Sequence, residues 1–182
     1  MTEPDPRPFV REPLALDLLN TRWKEYGRLN DLLDSPSGLR VWLAGHGLAD
    51  RFAADEESLK AVVHARGVLA AVVSGPGDPA VYRQVDDVLA HGRIRLTLGA
   101  EGPGETAEFD DPAWGAAWTA VRDYLDLLAA APERIRLCAQ PDCIRYFLDT
   151  SRNGTRRWCS MSLCGNRVKA ARHYARARDA GV

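Results

Sequence analysis

The carboxy-terminal quarter of this sequence contains Cys138-Ala-Gln-Pro-Asp-Cys143 and Cys159-Ser-Met-Ser-Leu-Cys164, which together hold all four cysteines of the 182-residue chain. Each pair has the spacing Cys-x4-Cys, and fifteen residues separate the pairs, a pattern typical of two ligand knuckles around one Zn2+ ion. Disulfide bonds are the alternative, but they belong to exported proteins, and the N-terminus does not read as a secretory signal. We therefore expect one structural zinc ion, whose shell of four thiolates leaves no open position for catalysis.

The residues around the cysteines predict a small β-hairpin and a helix. Residues 144–149 are rich in strand formers, residues 151–155 contain an Asn-Gly turn, and residues 156–158 lead back to the second cysteine pair. From Ser160 to Arg178 there is no proline, and apolar residues recur at helical spacing. Knuckle, hairpin and helix together indicate a treble-clef-like zinc module over residues 133–182.

Charge is unevenly distributed along the chain, although the net charge is only -1. Residues 1–133 contain 13 Lys and Arg against 22 Asp and Glu, a balance of -9, whereas residues 134–178 contain 11 basic residues against two acidic ones, a balance of +9. Such asymmetry favours a basic surface for a polyanion on an acidic body. The alternative is a basic module that docks onto its own acidic domain.

The basic residues of the module cluster at two places, the predicted hairpin tip and the predicted last helix. Lysine and arginine there would contact phosphates, and Asn166 or an arginine could also reach a base edge. Some of these side chains are expected only to solubilise the helix. The candidate DNA contacts are Arg152, Arg156, Arg157, Asn166, Arg167, Lys169, Arg172 and Arg176.

The first 132 residues predict a mainly helical domain with one small hairpin. Caps and apolar periodicity place helices after Ser35-Pro36, from Glu56 to Val73, after Asp78-Pro79 with Gly92 as the C-terminal cap, and after Asp111-Pro112 as far as Pro132. Strict alternation over residues 93–98 predicts a strand that pairs with residues 105–109. The fold class is therefore α+β, mainly α, with domains at 1–132 and 133–182.

One charged residue lies within the apolar stripe of the second predicted helix. Arg66 would be costly to bury unless it is paired, and a structural ion pair with a carboxylate such as Asp17 is one explanation. The functional alternative is that Arg66, Asn20 and Arg22 line a pocket for a small anionic effector, which would make this domain a sensor.

Catalytic and membrane functions find little support in the sequence. The histidines have no metal-ligand spacing, no phosphate-binding loop or nucleophile elbow is present, and the cysteines are assigned to zinc. No apolar run reaches the roughly 20 residues of a membrane span. We expect a cytoplasmic protein that is not an enzyme.

The cysteine-rich segment also carries a specific family resemblance. Arg157-Trp-Cys-Ser-Met161, followed by Cys164-Gly-Asn-Arg167-Val-Lys169, resembles the bacterial CGNR zinc-finger family, and the agreement extends from about Ile135 to Arg176. Leu16-Asp-Leu-Leu-Asn20-Thr21 and the Trp42-Leu43 pair resemble the ABATE domain that commonly precedes this zinc finger, although Leu18-Leu19 departs from the expected aromatic and β-branched residues. The resemblance implies a stress-related transcription regulator whose zinc module binds DNA.

Together these observations predict a regulator that binds double-stranded DNA through its zinc module, with the N-terminal domain modulating that binding. A homodimer would double the number of phosphate contacts. Two alternatives stay open: a zinc-stabilised protein-interaction module whose basic face meets an acidic partner, and an RNA-binding module.

Overall fold

A computed structural model describes residues 4–8, 12–75 and 77–170 of the chain. The helices are α1 Leu14–Leu19, α2 Pro36–Gly45, α3 Glu56–Ser74, α4 Pro79–Leu89 and α5 Gly115–Ala130. The strands form antiparallel hairpins and are β1 Arg22–Glu25 with β2 Arg28–Asp31, β3 Gly92–Gly99 with β4 Gly102–Phe109, and β5 Ile135–Leu137 with β6 Tyr146–Leu148. This architecture confirms the predicted class, α+β and mainly α.

The helix α2 begins at the predicted side-chain cap, and α3 begins at the predicted residue, Glu56, after a cap that was not predicted. Ser35 accepts a hydrogen bond from the Gly38 N–H, and Asp55 accepts one from the Ser58 N–H, so each side chain satisfies one of the free donors in the first turn of α2 or α3. Pro36 occupies the first turn of α2, where its missing N–H costs nothing.

The main hydrophobic core lies between α1, α2, α3 and α5. Leu16, Leu39, Trp42, Leu69 and Val121 are fully buried in it, and α3 packs closely against α5. Ile135, Tyr146 and Leu148 of the β5–β6 hairpin pack against the edge of this core. The cysteine-containing region therefore sits directly on the helical domain and is not separated from it by a free linker.

Some elements differ from the sequence-based expectation. The α4 helix ends at Leu89, and Gly92 is the first residue of β3, not a helix cap. The short helix α1 and the β1–β2 hairpin were not predicted; of the hairpin's eight strand residues Trp23 alone is buried, so the strands carry almost no apolar alternation. Within the described ranges, no helix is long and apolar enough to cross a membrane.

The hairpin of the zinc module pairs differently from the prediction. Residues 146–148 do form a strand, but their partner is β5, before the first cysteine pair, with Ile135 opposite Leu148 and Leu137 opposite Tyr146. The Cys138–Cys143 knuckle is thus the turn of this hairpin. Residues 151–154 form the predicted turn, with a hydrogen bond from the Gly154 N–H to the Ser151 carbonyl, yet 156–158 do not return as a strand.

Candidate metal centre and basic surface

The four cysteines converge in space. All four Sγ atoms lie within 4.8 Å of one another, with 3.9 Å between Cys143 and Cys159 and 3.6 Å between Cys159 and Cys164. A zinc ion with Zn–S bonds of about 2.3 Å requires neighbouring sulfurs about 3.8 Å apart, so the spacing fits a tetrahedral shell. The four thiols are therefore positioned to hold one metal ion, consistent with one structural zinc.

Electrostatics at the cluster also favour a bound cation. Hydrogen bonds from Cys143 and Cys159 lower the pKa of the Cys138 thiol to about 2, whereas burial, together with the charge of Cys143, raises the pKa of Cys164 to about 12. Hydrogen bonding to Cys138 and Cys143 raises the pKa of Cys159 as well. Four adjacent thiolates repel one another, so full ionisation needs a divalent cation among them.

Backbone geometry fixes both knuckles. The Cys138 N–H donates to the Arg145 carbonyl at 2.9 Å, and the Cys143 N–H donates to the Gln140 carbonyl at 2.9 Å. The second pair begins a π-helical turn over Met161–Gly165 that continues as α-helix over 166–170. A Cβ atom at Gly165 would lie 2.6 Å from the Met161 sulfur, so a larger residue there would require the Met161 side chain to move. We call residues 161–170 the terminal helix.

The loop after β6 is organised by one buried carboxylate. Asp149 is 1% exposed and accepts hydrogen bonds from the Ser151 N–H and hydroxyl and from the Arg156 N–H. Burial acts to raise the pKa of Asp149, but these hydrogen bonds outweigh it, and the pKa is lowered from its usual value of 3.8. The predicted hairpin tip is therefore a loop folded over a buried carboxylate.

Most of the predicted DNA contacts that can be located lie on the surface. Arg172 and Arg176 fall outside the described residues. Among the described residues, none of the exposed cations in this set forms an ion pair with a carboxylate. The exposed members are Arg152, Arg157, Asn166, Arg167 and Lys169.

Arg156 is the exception in that set. Its guanidinium donates to the carbonyls of Trp158 and Cys159 and lies 4.5 Å from the centroid of the Phe147 ring. Its donors therefore contact mainly the loop of the zinc module itself. Arg134 and Arg136 behave similarly, since they donate to carbonyls of the same loop at Ser151 and Gly154.

In the described part of the chain, the basic module and the acidic domain share almost no ion pairs. Within the described ranges, one ion pair joins residues 1–132 to residues 133–170, between Arg156 and Glu12 at 3.9 Å. Contacts between the two parts are mainly hydrogen bonds to backbone and apolar packing. The exposed cations of the module consequently remain available to a partner.

Asn20, a predicted effector residue, contacts the zinc module. Its amide donates to the Tyr146 carbonyl at 2.8 Å and its carbonyl accepts from the Tyr146 N–H at 2.9 Å, so the side chain pairs with β6 as a neighbouring strand would. Glu12 adds a second link, because its carboxylate accepts from the Leu148 N–H at 2.9 Å. These two residues lock the module's hairpin to α1 and the segment before it.

The other two predicted effector residues share a carboxylate. The Arg66 guanidinium donates to Asp31 at 2.8 Å and to the Thr21 hydroxyl at 2.8 Å, and the Arg22 Nε lies 3.5 Å from Asp31. The partner of Arg66 is thus Asp31. Asp17, the carboxylate suggested from the sequence, instead lies within ion-pair distance of Arg7 and His46. In the part of the chain that the structure describes, donors of Asn20 and Arg66 are thus engaged by the Tyr146 backbone and by Asp31, and effector binding by Asn20, Arg22 and Arg66 stays a prediction.

Some features of the site could not be recognised from the sequence. Arg145 is only 6% exposed and lines a cleft of about 190 Å3 between the zinc module and the tip of the β1–β2 hairpin. Arg145 lies two residues after Cys143 and directly before β6, and nothing in this sequence context predicts that its side chain is buried. Glu12 likewise precedes a proline in an unremarkable N-terminal segment.

Comparison with known proteins agrees with this geometry. The model of the CGNR zinc finger matches residues 134–177, and the ABATE model, described as "Putative stress-induced transcription regulator", matches residues 12–131. Neither is an enzyme family. A search of curated proteins finds no match. Because the ABATE model covers more than half of the chain and ends just before the zinc-finger match begins, the chain belongs to the ABATE family and carries a CGNR zinc finger at its carboxy-terminal side.

Proposed function

We propose that this chain regulates transcription by binding duplex DNA through its zinc module, with Cys138, Cys143, Cys159 and Cys164 as the zinc ligands. The observation that carries the proposal is the set of exposed cations on a module that, in the described residues, shares almost no ion pairs with the acidic domain. Arg152, Arg157, Arg167 and Lys169 are exposed and have no carboxylate partner among the described residues. A polyanion is the natural partner of such a surface.

The proposed contacts divide by chemistry. Arg152, Arg157 and Lys169 would bind phosphates, which gives affinity without sequence information. Asn166 and Arg167 lie at the start of the α-helical part of the terminal helix and could form bidentate hydrogen bonds to base edges. Arg156 supports the contact surface from within the module, and the proposed contacts at Arg172 and Arg176 follow the terminal helix in the sequence.

The N-terminal domain, residues 1–132, is proposed to modulate DNA binding through its contact with β6. An effector bound by Asn20, Arg22 and Arg66 would have to displace the Tyr146 backbone or the Asp31 carboxylate, so effector binding and zinc-module placement would be coupled. A thermal-shift screen with carboxylate and phosphate metabolites tests this part. A homodimer would raise affinity by doubling the phosphate contacts, and light scattering with and without DNA tests that part.

DNA binding itself is tested by fluorescence anisotropy with the zinc-loaded full chain and a labelled random-sequence duplex. We expect log K to fall linearly with log salt, and Arg157→Ala to weaken binding to all sequences similarly and lower the slope by about 0.9. The matched control is Arg83→Ala, an exposed arginine on α4. Single-stranded RNA that competes better than duplex DNA would assign the protein to RNA, and absence of duplex binding at low salt would refute the proposal.

A further inference from the structure

The β1–β2 hairpin has an unexpected residue at its tip. Its two-residue turn is Tyr26-Gly27, with φ angles of 48° and 78°, which is a type I′ turn because both angles are positive. Asparagine or glycine is favoured at the first position, and a tyrosine there strains the backbone. Tyr26 is also 98% exposed, so packing does not compensate for the strain. Neither the turn nor the core therefore explains this aromatic residue.

Cations flank the tyrosine. Lys24 and Arg28 are exposed on the two strands, and neither forms an ion pair with another described residue. The tip thus offers an aromatic ring and a hydroxyl group between two free positive charges. Such a combination suits a nucleic acid, where cations contact phosphates and a tyrosine can donate to a phosphate or stack on an exposed base.

The tip faces the zinc module across the cleft of about 190 Å3. Lys24, Glu25 and Tyr26 line one wall, and Asp142, Arg145 and Arg167 line the other. Arg145 is only 6% exposed, and its side chain forms no hydrogen bond or ion pair with another described residue. Its guanidinium nitrogens are not among the fully enclosed polar atoms that lack a partner, which agrees with their position at the cleft. An anion that enters the cleft would therefore give this mostly buried guanidinium a charged partner.

We infer that the β1–β2 hairpin is a second DNA-binding element, and that the cleft holds one backbone phosphate between Lys24 and Tyr26 on the hairpin and Arg145 and Arg167 on the zinc module. This inference rests on the proposed function and extends it, since it gives the N-terminal domain a direct part in DNA binding. Glu25 and Asp142 also line the cleft, and they repel the single charge of a phosphodiester less than the double charge of a free phosphate. The phosphate would also fix the hairpin and the module relative to each other.

The first test compares Lys24→Ala with Lys60→Ala, an exposed lysine on α3 whose side chain is 68% accessible. Duplex affinity of the zinc-loaded full chain is measured by anisotropy over a range of salt concentrations. We expect Lys24→Ala to weaken binding by about threefold to tenfold and lower the salt slope by about 0.9, with Lys60→Ala unchanged. If the wild-type chain binds DNA and both variants match it, the inference fails while the proposed function stands; if the wild type does not bind, both fail.

Tyr26→Asn gives a second test that a purely structural role would not pass. Because Asn-Gly is the preferred type I′ turn, this variant should melt about 1–3 °C higher than the wild type, and it should nevertheless bind duplex DNA several-fold more weakly. Unchanged affinity would contradict a role for the ring. Inorganic phosphate at matched ionic strength should not displace the duplex, and displacement would assign the cleft to a free phosphate ligand instead.

Arg145→Gln separates the cleft from the metal centre, since Cys143 and Cys164 border the same space. We expect one zinc per chain by elemental analysis, as in the wild type, and weaker duplex binding with a lower salt slope. Loss of zinc would show that Arg145 serves the thiolate cluster and would remove it from the phosphate site. The Lys24 and Tyr26 variants would then decide the inference alone.

Discussion

The helical domain and the zinc module are held together by different means. The helical domain buries large apolar side chains such as Trp42, Leu16 and Leu69 in a continuous core. The zinc module has a far smaller buried cluster, in which Phe147 is accompanied by Cys138, Cys159 and Cys164. A segment this short cannot bury enough apolar surface to fold alone, so its stability has to come from the metal and from the surface on which it packs.

The two regions also use their charged residues differently. In the helical domain, buried charges are paired, as Arg66 with Asp31 and Arg7 with Asp17. In the zinc module, three arginines donate to backbone carbonyls of the loop that follows β6, and other cations remain on the surface. In the zinc module, three arginine side chains therefore stabilise the loop after β6, and other cationic side chains make the surface of the module basic.

Removal of zinc should have the largest effect, because it should unfold the zinc module while the helical domain stays folded. Apparent zinc-binding free energies in small zinc domains are about 10–16 kcal/mol at pH 7, so Cys164→Ser or chelation should unfold the module. Backbone amide hydrogens of residues 135–165 should then exchange faster, whereas those of α3 and α5 should stay protected. The control is Ser162→Ala, at an exposed residue between Cys159 and Cys164. Equal loss of protection in α3 would show that the helical domain also depends on the metal.

The parts of the fold that sequence reasoning predicted are those with local causes. The start of α2 follows from capping by Ser35, α3 follows from its apolar periodicity, and the metal cluster follows from cysteine spacing. The hairpin partner of β6 was mistaken because the knuckle itself acts as the turn, which the Asn-Gly signal at 153–154 concealed. The β1–β2 hairpin was missed because a tyrosine at positive φ has no sequence signal.

The contact between the two regions could not be predicted for a similar reason. Asn20 meets the Tyr146 backbone across 126 positions of sequence, and Glu12 meets Leu148 across 136. A side chain that hydrogen-bonds a distant strand leaves no periodic pattern near itself. Asn20 was identified as a special residue, but the sequence could not tell whether its amide faced a ligand or another part of the chain.

Loss of the Asn20 contact should have the next largest effect. Asn20→Ala removes both hydrogen bonds to Tyr146 and leaves a backbone N–H and a carbonyl of β6 unsatisfied, a cost of about 1–3 kcal/mol. Denaturant unfolding should show this loss, and exchange of the Tyr146 amide should become faster with zinc still bound. The control is Asn153→Ala on the exposed loop. If the two variants are equally stable, the side-chain pairing of Asn20 with β6 does not hold the regions together.

The smallest expected effect is on the pH dependence of stability, to which Glu12 of the helical domain and Asp149 of the zinc module contribute with opposite signs. Burial, opposed by the Leu148 hydrogen bond and the charge of Arg156, raises the pKa of Glu12 from 4.5. The folded protein therefore binds this proton more readily than the unfolded chain, and the contribution of Glu12 to stability grows as pH falls toward 4.5 and is lost as pH rises through the folded-state pKa. For Asp149 the pKa is lowered from 3.8, so its contribution is present above that value and is lost as pH falls further.

Glu12→Gln isolates the first of these contributions. The amide oxygen can still accept from the Leu148 N–H, but the group no longer titrates, so the unfolding free energy of the wild type relative to the variant should rise between pH 7 and pH 5. Glu57→Gln, at a carboxylate whose side chain is 72% accessible, is the control and should not show this rise. The same trend in both variants would mean that Glu12 is solvated in solution. A rise confined to Glu12→Gln would show that mild acid tightens the link between α1 and the zinc module before it loosens the loop around Asp149.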